Sequence, residues 1–314
     1  MDIQRKKMGI IGAGHVGSHV GLVLSLQGVC DEIVMVDIDK DKAYSQALDC
    51  MDAAPFCPNR VTITAGEMAD LKDADMVVIS VGSIIAGDRL AERDISVGLV
   101  KQVIPDLMKT GFNGYILVIT NPCDIITYAV WKLSGLPSHK VIGTGTGLDS
   151  SRLKRILSKH SGVDPHSIDA YMIGEHGDSQ FAALSCASFA GKKMTELMKE
   201  KPEVFGKLDF DAISTEAAQA GWEVFKGKKS TEFGIACTLA RLANAIYRDE
   251  KKIFPVSTLF NGEYGYSGVY AGVPAVVGQN GVEYIIELPI SEDEKKKLER
   301  TMATIRKHVE STGL

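Results

Sequence analysis

One short stretch constrains this chain more than any other: GIIGAGHVG, residues 9–17, where an apolar run ends in Gly12, Gly14 and Gly17. A buried strand that stops at glycines spaced GxGxxG and passes at once into helix-forming residues can fold in few ways. The glycines admit a close approach of main chain to a bound group, and the helix N-terminus then offers amide donors and the positive end of its dipole to a pyrophosphate. Glycines alone are common in turns, so context decides. The next apolar run, IVMVD, ends at Asp37, twenty residues beyond Gly17. A carboxylate there accepts the hydroxyls of a ribose and repels the 2′-phosphate of NADP, so NAD is the expected cofactor, with nearby Lys42 leaving NADP as the lesser alternative.

The rhythm of the first half agrees. KMGIIGAG, EIVMVDID, ADMVVISVG and GYILVITNP each read as a strand buried on both faces, the signature of a parallel sheet with helical crossovers. Helices are expected over Ser18 to Gln27, Asp41 to Met51 and Ser96 to Thr110. Beyond residue 145 the pattern changes. A helix at LDSSRLKRILSKHSG, a polar loop at Gly174 to Ser179, and helices around Asp211 to Lys226 and Thr231 to Arg248 lead to a hairpin in AVVGQNGVEYIIELPI, with Asn280-Gly281 supplying the positive backbone angles of its turn. Ser291 caps the last helix. The expected architecture is α/β: a Rossmann doubly wound parallel sheet over residues 1–145, which binds the dinucleotide, followed by a mixed α+β substrate domain over residues 146–314.

Composition narrows the partners. With 314 residues, 45% hydrophobic and a net charge of −5, the chain has material for a large core and no dense basic run for nucleic acid. No apolar run approaches the roughly 18 residues of a membrane span, and the basic start lacks a signal-peptide core. The six cysteines are scattered without metal-ligand spacing, which predicts reduced thiols, no metal and a cytoplasmic location. A small molecule is the expected ligand.

The chemistry concentrates in two segments. In GEHGDS, His176 lies among acidic and glycine residues rather than apolar ones, and imidazole titrates near neutrality, as a proton donor and acceptor must. A single histidine among seven is ordinarily a packing or surface residue. In GTGTGLDSSRL, however, Asp149 and Arg152 stand three apart at a helix start and project from one face. Asp149 can accept the imidazole N–H, and Arg152 can grip a carboxylate through two parallel hydrogen bonds. Alone, that pair would be a capping aspartate with a surface ion pair.

Taken together, GAGHVG, the VD that ends the second strand, TNP at Thr120 to Pro122, GTGLDSSR and IGEHGDS follow the order and spacing of the L-lactate and L-malate dehydrogenases, and the chain resembles that family over essentially its whole length. The resemblance implies an NAD-dependent L-2-hydroxyacid dehydrogenase with His176 as acid/base, Asp149 as its orienting partner, Arg152 as carboxylate anchor and Asn121 in contact with substrate and nicotinamide. It implies that Arg89, in GDRLAER, polarises the substrate carbonyl when a loop closes, although Arg93 lies one turn on. Val16, Gly82 and Thr144 join Gly12, Gly14, Gly17, Asp37, Lys42 and Asn121 as expected cofactor contacts. A homotetramer, or a dimer, is the expected assembly.

Three positions bear on substrate and control. Ile85 stands roughly where glutamine favours pyruvate and arginine favours oxaloacetate, so a second carboxylate would be desolvated without a cation and malate is disfavoured. Thr231, in KKSTEFGIA, matches a threonine near the substrate methyl and favours pyruvate and L-lactate. GDRLAER and AGWEVFKGKK instead resemble L-2-hydroxyisocaproate dehydrogenase, which acts on branched apolar 2-oxo acids, and this is the alternative substrate class. Lys154 and Asp169 stand where enzymes activated by fructose 1,6-bisphosphate carry an arginine and a histidine, so no activation by that sugar phosphate is expected. The reading from another class is a catalytically silent NAD-binding sensor that keeps only the fold.

Overall fold

The computed structural model describes residues 5–82, 89–206 and 208–314, with main chain alone at 89–91. The glycine-rich stretch forms the strand–turn–helix expected of it: β1 (Lys7–Ile11) runs into α1 (His15–Leu26). The chain continues through β2 (Glu32–Val36), α2 (Lys40–Asp52), β3 (Thr62–Ala65), β4 (Met76–Ile79), α3 (Arg89–Lys109), β5 (Tyr115–Val118), α4 (Cys123–Ser134) and β6 (Val141–Gly143). These six strands are parallel in the order 3-2-1-4-5-6, the doubly wound arrangement whose order reverses between β1 and β4. Alternation explains why both faces are apolar. Met8 and Ile10 of β1, Ile33 and Met35 of β2 and Met76 and Val78 of β4 enter one core. Ile11, Val34, Val36, Val77 and Ile79 enter the other, and each such burial contributes roughly 1.5–3 kcal/mol.

The second half does not stand apart as a separate sheet. After α5 (Gly147–Ser161) come four two-residue strands, β7 (Ile168–Asp169), β8 (Met172–Ile173), β9 (Phe181–Ala182) and β10 (Ser188–Phe189), then β11 (Lys192–Lys193), α6 (Met194–Glu200), α7 (Pro202–Phe205), α8 (Phe210–Lys228) and α9 (Phe233–Tyr247). A long antiparallel hairpin, β12 (Lys252–Asn261) and β13 (Ser267–Gly278), pairs with β6 through Ser257 and Gly143, and β14 (Gly281–Ile285) adds the edge. Among the described residues the sheet therefore has nine strands running through both halves. Helix α9 also crosses over: Ala236, Leu239, Ala240 and Ala243 share a core with Val20 and Leu24 of α1. The chain ends in α10 (Glu292–Glu310), opened by a reciprocal capping box between Ser291 and Glu294.

Two local expectations need correction. The last hairpin pairs Gly278 with Gly281, so Gln279 and Asn280 form its loop and Gly281 alone takes a positive angle, φ +81°. A Cβ at Gly281 would lie 2.0 Å from the His139 carbonyl oxygen, which makes glycine obligatory after the turn rather than within it. Helix α3 begins at Arg89, seven residues before Ser96. The extra turns lack apolar periodicity and are held from a distance: Arg93 Nη1 donates to Ser311 Oγ at 2.7 Å, beside His308 Nδ1 at 3.2 Å on α10.

Candidate active site

Three consecutive residues of GEHGDS are fixed by three different elements. Gly174 exchanges both main-chain hydrogen bonds with Gly272 of β13. The Glu175 N–H donates to Thr301 Oγ1 of α10 at 2.9 Å, and the His176 N–H donates to Asp124 Oδ2 of α4 at 2.6 Å. The loop is polar because its main chain has no ladder of its own and borrows side-chain acceptors instead. What this framework presents is the imidazole. His176 Nδ1 lies 2.6 Å from Asp149 Oδ2, and Arg152 Nη1 donates to Asp149 Oδ1 at 2.9 Å.

The electrostatics follow from burial and partners. Asp149 is 1% exposed; burial alone would raise its carboxyl, but His176 and Arg152 hold it below the ordinary 3.8, so it stays ionised. Burial pushes His176 down, and the adjacent Asp149 carboxylate outweighs that and raises it above 6.5. Its side chain keeps 24% exposure and lines a cavity. Asp124, wholly buried, is pushed up by burial to about 6, less far than it would be without its hydrogen bonds from Ser257 and the His176 N–H.

His176, Asp149 and Arg152 line one cavity of about 530 Å³, within the range of small-molecule and cofactor sites. His176, Asp149, Arg152, Asn121 and Thr231 lie in its walls together with Gly14, Val16, Lys42, Gly82 and Thr144. Gly12, Gly17 and Asp37 are not among its lining residues. A Cβ on Gly17 would meet the Gly12 carbonyl oxygen at 2.0 Å, so the turn requires glycine there for helix and strand to approach. Asp37 Oδ2 accepts the Ala13 N–H at 2.7 Å, which ties the acid to the glycine turn. Helix α1 has no side-chain cap, leaving its first-turn amides to an anion. The turn, the uncapped helix and the acid together fit a dinucleotide.

Ile85 lies outside the described residues, and of Arg89 the main chain alone is described, at the start of α3. Arg93, the arginine one turn on, does line the cavity. Its guanidinium is bound to Asp94, His308 and Ser311. Sequence reasoning missed Asp124, although NPCD places an acid in the first turn of a helix just after Asn121. It also missed the apolar wall formed by Ala218, Trp222, Phe225 and Ile235. Gln180 Oε1, in a residue of the same cavity, is a buried side-chain acceptor without a partner among the described residues. An unpaired acceptor of this kind costs about 1–3 kcal/mol and marks a place where a donor would be gained.

Comparison with known proteins points the same way. Residues 6–143 match the lactate/malate dehydrogenase NAD binding domain, and residues 146–313 match the lactate/malate dehydrogenase alpha/beta C-terminal domain. An L-lactate dehydrogenase of Fusobacterium nucleatum is 48% identical over 98% of this chain and 97% of its own. L-lactate dehydrogenase 3 of Bacillus thuringiensis is 41% identical with both chains fully covered. Among solved structures, the ligand-bound minor L-lactate dehydrogenase of Enterococcus mundtii superimposes with a TM-score of 0.94 at 34% identity, covering 98% of each chain. A lactate dehydrogenase, MGS-M5, from a Medee basin deep-sea metagenome library gives 0.95 at 35% identity, covering 99% of this chain and all of that one.

Proposed function

The chain belongs to the lactate/malate dehydrogenase family, and from that premise we propose that it reduces pyruvate to L-lactate with NADH and catalyses the reverse reaction. Membership makes it an NAD-dependent 2-hydroxyacid dehydrogenase. NAD, when bound, supplies or removes the hydride. The glycine turn, Asp37, Val16, Lys42, Gly82, Asn121 and Thr144 would hold it.

In this reading His176 carries the proton at Nε2. During reduction it gives that proton to the carbonyl oxygen as the carbon receives hydride, and in oxidation the neutral ring takes it back. Asp149 fixes the ring through Nδ1 and stabilises its cationic form. Arg152 shares one nitrogen with Asp149 and has further donors for the substrate carboxylate, a charge-assisted contact that also orients the 2-oxo carbon. Arg89 is assigned the carbonyl-polarising role by its sequence position. The single observation that carries the proposal is the 2.6 Å contact between His176 Nδ1 and Asp149 Oδ2 in a wall of the cavity that also holds Arg152 and the glycine turn.

A second substrate reading has support of its own. Ala218, Trp222, Phe225 and Ile235 give the cavity an apolar side that suits branched 2-oxo acids. We also infer, from the family, a homotetramer or dimer in the cytoplasm, and exposed apolar side chains on α2, Tyr44 at 62% and Leu48 at 50%, support assembly. NADH oxidation measured in parallel with pyruvate, 2-oxoisocaproate and oxaloacetate tests these assignments. Highest kcat/KM with pyruvate upholds the proposal, preference for 2-oxoisocaproate replaces the substrate, and silence with all three returns the sensor reading.

A further inference from the structure

The loop that carries His176 ties its polar groups with care and then leaves one unpaired. Ser179 Oγ donates to Glu175 Oε2 and lies 2.7 Å from Thr301 Oγ1, which also accepts the Glu175 N–H. Gln180 follows at once. Its Oε1 is the one buried side-chain nitrogen or oxygen among the described residues that makes no hydrogen bond. Strand β9 shows which way this residue turns. Phe181 and Ala183 enter the core shared with β13 and α10, whereas Ala182 enters the core shared with α5 and α8, and its N–H donates to Ser214 Oγ of α8 at 3.3 Å. Alternation therefore turns Gln180, like Ala182, toward α5 and α8. It lines the cavity there, with Arg152 of α5 and Ala218 and Trp222 of α8.

A buried oxygen without a donor is costly, and a methionine or leucine would fill similar space without that cost. A destabilising group of this kind is retained where function uses it. Under the proposed function His176 meets the substrate carbonyl and Arg152 its carboxylate, which leaves the third substituent of the carbonyl carbon, the substrate side chain, to the rest of the wall. What Oε1 lacks is a donor. The methyl of pyruvate and the alkyl groups of branched acids have none, and an ionised second carboxylate has none; a hydroxyl has one. The terminal torsion of a glutamine is broad, and no hydrogen bond among the described residues holds this oxygen in place. We propose that Gln180 is a specificity-determining residue: its amide oxygen accepts the hydroxyl of 2-oxo acids hydroxylated on their side chain, and so favours them over alkyl analogues of the same size. This rests on the reading of the cavity as the substrate site of a 2-oxo acid reductase.

The test uses the full-length protein and its Q180M variant with 3-hydroxypyruvate and 2-oxobutanoate, which differ by a hydroxyl in place of a methyl. The ratio of their kcat/KM values in NADH oxidation is measured for each protein, and dividing the parent ratio by that of Q180M cancels the difference in intrinsic reactivity between the two acids. The quotient is expected to be about tenfold or more in favour of the hydroxylated acid in the parent, because a site built to bond a hydroxyl discriminates against the analogue without it. A quotient below about threefold overturns the proposal. NADH affinity, followed by fluorescence titration, separates a second source of the donor: loss of NADH binding in Q180M with an unmoved ratio gives the oxygen to the cofactor and overturns the proposal as well. Should Q180M fail to fold, Q180L replaces it in the same comparison. A parent protein inactive toward pyruvate and both of these acids would overturn the proposed function, and this inference with it, whereas an active parent with an unmoved ratio overturns this inference alone.

Discussion

Asp149 serves two partners at once, His176 through one oxygen and Arg152 through the other, and under the proposed function this sharing links proton delivery to substrate anchoring. The histidine has a pKa raised above its ordinary 6.5 because the Asp149 carboxylate outweighs the effect of burial. Under the proposed function pyruvate reduction consumes the imidazolium proton, so kcat/KM is expected to be level below the raised value and to fall about tenfold per pH unit above it, and lactate oxidation to show the opposite limb. Asp149→Asn removes the charge that raises it. Its alkaline break therefore moves to lower pH, and kcat drops about 100-fold or more because the amide no longer enforces the productive tautomer. A pH-rate series on both proteins checks the direction, and a break that moves upward would contradict the assignment. Arg152→Lys retains a charge but loses the planar fork, so KM for pyruvate is expected to rise about 100-fold while NADH affinity is retained. Steady-state kinetics with a separate NADH titration distinguish these two quantities.

At the scale of elements, α9 shows what local pattern could and could not reveal. Its apolar face announced a helix near Thr231 to Arg248, and it forms over Phe233–Tyr247. Nothing in its periodicity says that Leu239 and Ala243 join the core entered by Val20 and Leu24 of α1, more than 200 residues earlier, and by Ala13 of the glycine turn. Leu239 is fully buried. Leu239→Ala is expected to cost about 2–5 kcal/mol of stability, measured by denaturant unfolding, and to weaken NADH binding more than an equally buried change remote from α1, such as Leu157→Ala in the second-half core. Equal effects on NADH would mean that α9 supports the site only through global stability. The first-half strands and the Ser291 cap were legible because each is a local signal: two-sided apolar runs, or a hydroxyl three residues before a glutamate. The β12–β13 hairpin was not, since its partners are set by β6 across the sheet. His176, Asp149 and Arg152 were legible as residues and the family resemblance supplied their meeting, whereas Asp124 was lost within an apolar helix start. Its hydrogen-bond partner, the His176 N–H, lies 52 residues away.

Across the whole molecule, continuity of the sheet explains how residues from both halves face one cavity. The first-half strands end near the glycine turn, and β12 and β13 extend the same sheet under the loop of His176. The opposite side of α5 faces β7, and here Lys154 bears on regulation. Its ammonium lies 5.6 Å from the centroid of the Tyr171 ring. Burial lowers its pKa, opposed by the charge of Asp169. A lysine with its ammonium over an aromatic face and its charge partly answered by a carboxylate has little left for a phosphate, and Asp169 repels one outright. Fructose 1,6-bisphosphate is therefore expected to leave the pyruvate saturation curve unchanged. Asp169→His, which removes the repulsion and adds a group able to become cationic, is expected to let high concentrations lower KM for pyruvate if copies of the chain assemble across this surface. Saturation curves with and without the sugar phosphate at pH 6 and 7.5 measure both effects. A marked leftward shift in the unaltered protein would show that the anion is held by groups other than Lys154 and Asp169.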